Sequence, residues 1–394
     1  MKRTAYLLSL MLCLSGCRTA EPEPKPVPED PPVYASAEAI LREDEVIVPF
    51  NTTIRLETLS QEDMDLLFPV FQEQTTYYSK LFDRYHSFAE EGITGIYEVN
   101  QSNGTPVHVC SELFHVIREA VRLSELTGGR YNLTVGRLYD VWSDRFSPFP
   151  MEQEDPPEEE IQSALGCVVK PEDLNDVIVL DEENSTVAIM PYSSCDTSVV
   201  LDAGALAKGY ASEQISLALQ EYEVPFLINA GSSSISAYTP PGRNKNWYVG
   251  IRNPYARVYT LYDYTIPDTG LFSTSGDDSS YFILNTEDGP LIRHHILNPS
   301  TGYPENSIRM ASVSSDRNGM LCDVLTTALF NTESREERLQ LISVLSDYGS
   351  MDIEWSWFEE TGKEQGTLCS SQAFFEQIPA ESISENIAET EVIP

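Results

Sequence analysis

Positive charge is scarce in this sequence. Against 62 Asp and Glu it carries 25 Lys and Arg in 394 residues, a formal net charge of −37. Nucleic acid is thereby set aside as a partner, because affinity for it comes mostly from cations that neutralise phosphates. A phosphate-bearing ligand must be met by backbone N–H groups, a few placed cations or a metal. Histidine is rare, with five residues, and no Cys-x-x-Cys or Cys/His spacing suggests zinc. No Gly-x-Ser-x-Gly elbow is present, which sets a hydrolase triad of that kind aside. Core-forming material is abundant: 41% of residues are hydrophobic and there are 20 Tyr and 15 Phe. That is enough for a large folded body.

The N-terminus reads as an export signal. Lys2 and Arg3 precede an apolar run from Ala5 to Leu14, too short to span a bilayer and of signal-peptide size. Leu14-Ser15-Gly16-Cys17 looks like a bacterial lipoprotein box. Residues 1–17 are therefore expected to be signal and lipobox, with Cys17 lipidated and the chain anchored to the cell membrane, facing outside the cytoplasm. Five cysteines follow Cys17, an odd number, and export permits a disulfide without choosing the pair. Residues 18–43, rich in Pro and acids, read as a stiff tether. Residues 44–376 read as one catalytic body. The acidic stretch 377–394 reads as a loose tail.

Within the body the pattern is α+β. Val46 to Leu59 is strand-like, and 61–84 is helix-like, with Pro69 expected to kink or split it. Cys110 to Leu126 reads as a second helix closed by Gly128-Gly129. Pro156-Pro157 opens a third. Short β-rich runs then alternate with turns, interrupted by helices near 204–221, 319–331 and 335–347. No regular βαβ alternation is present.

Five segments could carry chemistry. Leu201 to Tyr210 places small residues at a helix start, where free N–H groups favour an anion and Lys208 could meet a phosphate. Tight strand-to-helix packing with an exposed lysine is the other reading. Asn229 to Ser234 and Ser273 to Asp278 offer similar small-residue turns. His294 and His295 are adjacent before a Pro/Gly turn; on an extended backbone they face opposite sides. One of them could enter a cleft as a base, or both could be structural. Asp323 and Thr327 lie four apart on a helix and share a face, an oxygen set suited to Mg²⁺ or a chance pairing.

In this order the segments resemble the bacterial ApbE family of FAD:protein FMN transferases. Asp202 to Tyr210 looks like that family's Asp-x-Gly-Gly-Ile-Ala-Lys-Gly-Tyr. Ser275-Gly276-Asp277 and His295 to Gly302 are similar to its Thr-Ser-Gly-Asp-Tyr and His-Ile-Ile-Asp-Pro-x-Thr-Gly. Asp323 to Ala328 is similar to its Asp-Ala-Leu-Ala-Thr-Ala, and Tyr131 to Gly136, with Trp142, to its Phe-Asp-x-Thr-Val-Gly…Trp. The resemblance spans about 46–347. It implies a single body of mixed, mainly antiparallel sheets with packed helices. It implies Mg²⁺ held by the Ala205 carbonyl, Asp323 and Thr327, and FAD contacted by Arg130, Tyr131, Asn132, Asp202, Lys208 and His295. His295 is expected as the base.

The implied reaction moves FMN from FAD to a Thr or Ser hydroxyl of an acceptor protein and releases AMP. The implied acceptors are flavoproteins of membrane redox complexes or extracellular reductases. The alternatives are a Mg²⁺-dependent FAD pyrophosphatase and a non-catalytic flavin-binding lipoprotein. Departures from the family pattern are Asn132 for Asp, Asp278 for Tyr, Asn298 for Asp, Ser232 for Gly, and Asn51-Thr52-Thr53 at the entry strand.

Overall fold

The computed structural model describes residues 32–42, 45–147, 151–256, 259–287 and 289–393. The signal, Cys17 and most of the tether lie outside the described residues. Nine strands form the central sheet: β1 (Val33–Ser36), β2 (Ile54–Thr58), β3 (Phe226–Ala230), β4 (Ser234–Tyr238), β5 (Gly270–Gly276), β6 (Met310–Ser315), β7 (Glu354–Gly362), β8 (Gln365–Ser371) and β9 (Ile387–Ile393). They lie side by side in chain order. Every pairing is antiparallel except that of β8 with β9. The α+β reading and the mainly antiparallel sheet hold.

Strand alternation gives this sheet two apolar faces. One face, carrying Ile228, Ala311, Val313, Trp355 and Trp357, packs on the helices α1 (Gln61–Phe82), α2 (Ser111–Leu126), α3 (Ala207–Gln220), α4 (Gly319–Phe330) and α5 (Arg335–Gly349). The other, carrying Leu227, Ile235, Phe272, Met310 and Phe358, is covered by the hairpin Asn246–Arg252/Thr260–Pro267. A third cluster gathers Leu138, Trp142, Phe282 and Leu297.

α1, α4 and α5 begin where a side chain at the N-cap satisfies a free N–H group. Ser60 caps α1 by accepting from Asp63 N–H at 3.1 Å. α4, apolar and buried almost throughout, starts at Asn318, whose φ of 63° places it in the left-handed region. Glu213 of α3 accepts the N–H groups of Asn318 and Gly319, both at 2.8 Å. The two helices touch backbone to backbone: a Cβ on Gly209 would sit 2.1 Å from the Gly319 carbonyl oxygen.

Three expectations are corrected. α1 is one helix through Pro69, so the proline does not split it; it forgoes one hydrogen bond, but Leu67 and Phe71 are fully buried on either side and hold the helix together. The tether reading reached too far, because β1 pairs with β2 and brings 33–36 into the sheet. The segment 377–394 is no loose tail over its described part. Backbone pairing of β9 with β8 and an ion pair of Glu391 with Arg335 at 2.7 Å offset its acidity. A disulfide joins Cys167 to Cys195, leaving Cys110, Cys322 and Cys369 as thiols. Among the described residues no helix is long and apolar enough to cross a membrane.

Candidate active site

A cleft of about 820 Å³ opens at one end of the sheet. The turn after β3, the end of β5 and the start of β6 meet there, between the helical layer and the hairpin. Its walls include Arg130, Tyr131, Asn132, Asp202, Ala205, Lys208, His295, Asp323 and Thr327, so every candidate site residue of the body reaches one place. Five cations (Arg84, Arg130, Lys208, Arg252, Arg309) and five carboxylates (Glu57, Asp83, Asp202, Asp278, Asp323) line it. The surplus of acid in the chain is absent from this lining, which is how so acidic a protein can receive a phosphate.

Asp323 sits at the floor, on the buried helix α4. Oδ2 accepts the Gly209 N–H at 2.6 Å, and Oδ1 accepts the Ser273 hydroxyl at 2.5 Å. Ser234 Oγ lies 2.7 Å from Oδ1 and 3.0 Å from Oδ2. Ser234 and Ser273 are direct cross-strand partners of β4 and β5, so the sheet presents a paired hydroxyl clamp to the carboxylate. Burial pushes the Asp323 carboxyl up, opposed by Lys208 and then by these three hydrogen bonds.

Gly209 is the third residue of α3, so its N–H is one of the free groups at the start of that helix. Asp323 supplies its partner, and Ala205, two residues before the helix, lies at the cleft wall. Thr327, one turn beyond Asp323, is partly exposed into the same space. One carboxylate, one hydroxyl and one backbone carbonyl make an all-oxygen donor set that fits a hard cation such as Mg²⁺, which keeps further positions for water and phosphate oxygens. Among the described residues no cluster of three or more His, Cys, Asp or Glu offers a different metal site.

The two histidines do face opposite ways. His294 is fully buried against Phe330; its Nδ1 accepts from Ile296 N–H at 3.2 Å, so Nε2 donates to the Glu305 carbonyl at 2.6 Å. His295 lines the cleft, and its Nδ1 donates to the Ser280 carbonyl at 3.3 Å, leaving the Nε2 lone pair available. Burial first and Lys208 second hold His295 down at about 4, so it is neutral near pH 7.

The residues expected to contact FAD divide. Asn132 is engaged in its own turn: its amide donates to the Val169 carbonyl at 2.8 Å, and its oxygen accepts from Thr134 N–H and hydroxyl at 2.9 and 2.7 Å. Asn298 closes a similar turn onto Ser300. The Tyr131 hydroxyl and the Asn331 side-chain Oδ1 are buried in the cleft wall and lack a hydrogen-bond partner among the described residues. Two orphaned polar atoms on one wall fit a polar ligand lying there. Lys208 Nζ donates to the Gly204 carbonyl at 3.2 Å, and Arg130 pairs with Glu337 at 3.2 Å.

Sequence reasoning missed Arg84. Its Nε meets Asp202 Oδ2 at 2.7 Å and its other nitrogens meet Asp140, while Asp202 Oδ1 accepts the Gly204 N–H at 2.7 Å. Arg84 thereby fixes the turn that carries Ala205. Its only sequence signal is being one of few cations. Ser234 and Ser273 lay in segments singled out as turns, but their clamp role needs the strand register.

A family model described as the ApbE family matches residues 50–347. The chain belongs to the ApbE family. It is 27% identical over 238 residues to the FAD:protein FMN transferase of Klebsiella pneumoniae (strain 342), covering 60% of this chain and 67% of that one. To the protein of the same name from Haemophilus influenzae it is 25% identical over 233 residues, covering 59% and 63%. The chain thus matches about two thirds of the length of these relatives. The crystal structure of the ApbE protein from Thermotoga maritima superposes with a TM-score of 0.66 at 23% identity, covering 88% of this chain and 100% of that one. The fold is that of ApbE proteins.

Proposed function

We propose that this protein is a Mg²⁺-dependent FAD:protein FMN transferase, acting from a lipid anchor at Cys17 on the outer side of the cell membrane. The observation that carries the reading is the Gly209–Asp323 hydrogen bond, which orients a buried carboxylate at the start of α3, beside the turn that carries Ala205. Asp323, Thr327 and the Ala205 carbonyl would hold the ion, which when bound neutralises pyrophosphate charge. Lys208 adds positive charge to that region, and the cleft walls at Tyr131 and Asn331 offer unfilled polar contacts to the flavin dinucleotide. The acceptor hydroxyl oxygen bonds to the FMN-side phosphorus as the bridging P–O bond to AMP breaks. Its proton passes to Nε2 of His295, which the Ser280 carbonyl keeps in the receptive tautomer, and AMP leaves.

The test is incubation of the protein with FAD, Mg²⁺ and several flavoprotein acceptor domains, read by mass. An FMN-sized gain on a Thr or Ser, lost with EDTA, supports transfer. FAD split to FMN and AMP with no acceptor labelled replaces it by a pyrophosphatase. FAD bound with no turnover replaces it by a flavin-binding protein.

A further inference from the structure

The hairpin strand Asn246–Arg252 borders the cleft edge-on. Its side chains alternate strictly, with Trp247, Val249 and Ile251 buried, so a strand facing the cleft broadside would contribute every second residue. Instead the consecutive residues Tyr248 to Arg252 all line it. One edge of the strand is occupied by Thr260–Pro267, and among the described residues no other strand pairs with it. The edge toward the cleft is the open one.

Register identifies the backbone groups on that edge. Asp268 N–H donates to the Lys245 carbonyl at 3.1 Å, which marks a hydrogen-bonded pair. Two residues on, the partners are Trp247 and Ile266, then Val249 and Tyr264. These turn their N–H and C=O groups toward the partner strand, so Tyr248 and Gly250 turn theirs to the open edge. A Cβ on Gly250 would lie 2.6 Å from Thr260 Cγ2, so this close approach keeps the position bare. Tyr248 is 65% exposed.

We propose that this open edge docks the acceptor, as an extended polypeptide segment that adds to it as a strand and brings its Ser or Thr hydroxyl into the cleft. The proposal rests on the FMN-transfer reading. Unpaired edges are normally blunted or covered, and strand addition is the recurrent use of one left open. Alternating donors and acceptors at a two-residue spacing match another backbone. The edge is continuous with the walls that carry Lys208 and Asp323. Arg252, at its end, is 43% exposed and paired only loosely, at 3.6 Å, with Asp278. That charge favours a segment with an acidic residue beside the hydroxyl-bearing one.

The test uses the full chain with FAD, Mg²⁺ and ten-residue threonine peptides, half of them carrying an Asp near the threonine. FMN on the peptide and FMN released are measured together. The Asp peptides are expected to label better. Backbone N-methylation, scanned along the best peptide, is expected to cut labelling about ten-fold at alternate positions, the effect of about one lost hydrogen bond. Tyr248→Pro, which removes one outward N–H, is expected to lower the ratio of transferred to released FMN more than Tyr248→Ala, which keeps it. Labelling without alternation, equal ratios in the two variants, or FAD splitting with no peptide labelled overturns the proposal and leaves the flavin chemistry standing. FAD neither bound nor split overturns the transfer reading, and the proposal with it.

Discussion

Gly209 gives its backbone N–H to Oδ2 of Asp323 at 2.6 Å, which joins the start of α3 to a buried carboxylate of α4. One hydrogen bond therefore does two things: it aims the carboxylate, and it satisfies a free N–H group at the helix N-terminus. The contact exists because Gly209 and Gly319 let α3 and α4 cross with their backbones touching.

Gly209→Ala is expected to destabilise the fold by about 1–3 kcal/mol or more, since the added methyl meets the Gly319 carbonyl oxygen at 2.1 Å and Asp323 Cγ at 2.7 Å. Urea midpoints measure this. A midpoint equal to that of the wild type contradicts the close crossing.

Ser273→Ala and Ser234→Ala each remove one side of the hydroxyl clamp on Asp323. Outer partners of metal ligands typically contribute about 10- to 100-fold in affinity. Each variant is expected to weaken Mn²⁺ binding, titrated calorimetrically, by at least ~10-fold with little change in melting temperature.

Arg84→Gln leaves Asp202 and Asp140 without their buried cation. Breaking such a pair costs about 3–5 kcal/mol, so the urea midpoint should fall substantially. FAD affinity, measured by flavin fluorescence on the folded fraction, should fall as well, because the turn bearing Ala205 loses its anchor.

His294 should make stability depend on pH in one direction. Burial holds it down at about 3, below the ordinary 6.5, so between these values the unfolded chain binds the extra proton. Its contribution is complete above pH 6.5 and is lost as pH falls. Relative to a neutral His294→Gln variant, the wild type should lose ~1 kcal/mol of unfolding free energy between pH 6 and pH 5. A difference that stays constant across that interval contradicts the buried, neutral assignment.

Reduction of the Cys167–Cys195 disulfide, which closes a loop with a sequence separation of 28, should cost about 3–4 kcal/mol on loop entropy. Thermal melts with and without dithiothreitol measure it, and unchanged melting contradicts it.

Much of this site was legible in the sequence because its residues come in local patterns. Asp323 and Thr327 share a helix face by spacing alone, and His294 and His295 separate by strand alternation. What escaped depends on contacts between distant segments. Arg84 reaches Asp202 across 118 positions of sequence. The Ser234–Ser273 clamp exists only in one strand register, and the Gly209–Gly319 crossing exists only once two helices meet. The tail escaped because its acidic composition hid a strand whose stability comes from backbone pairing with β8. Tether and tail were judged on composition, which carries no record of an available sheet edge.

The most direct test is a Mn²⁺ titration in the presence of FAD, followed by electron paramagnetic resonance, on the wild type and on Asp323→Ala. One bound ion per chain in the wild type and none in the variant is the predicted result. Equal Mn²⁺ binding by both proteins would contradict the metal centre at Asp323.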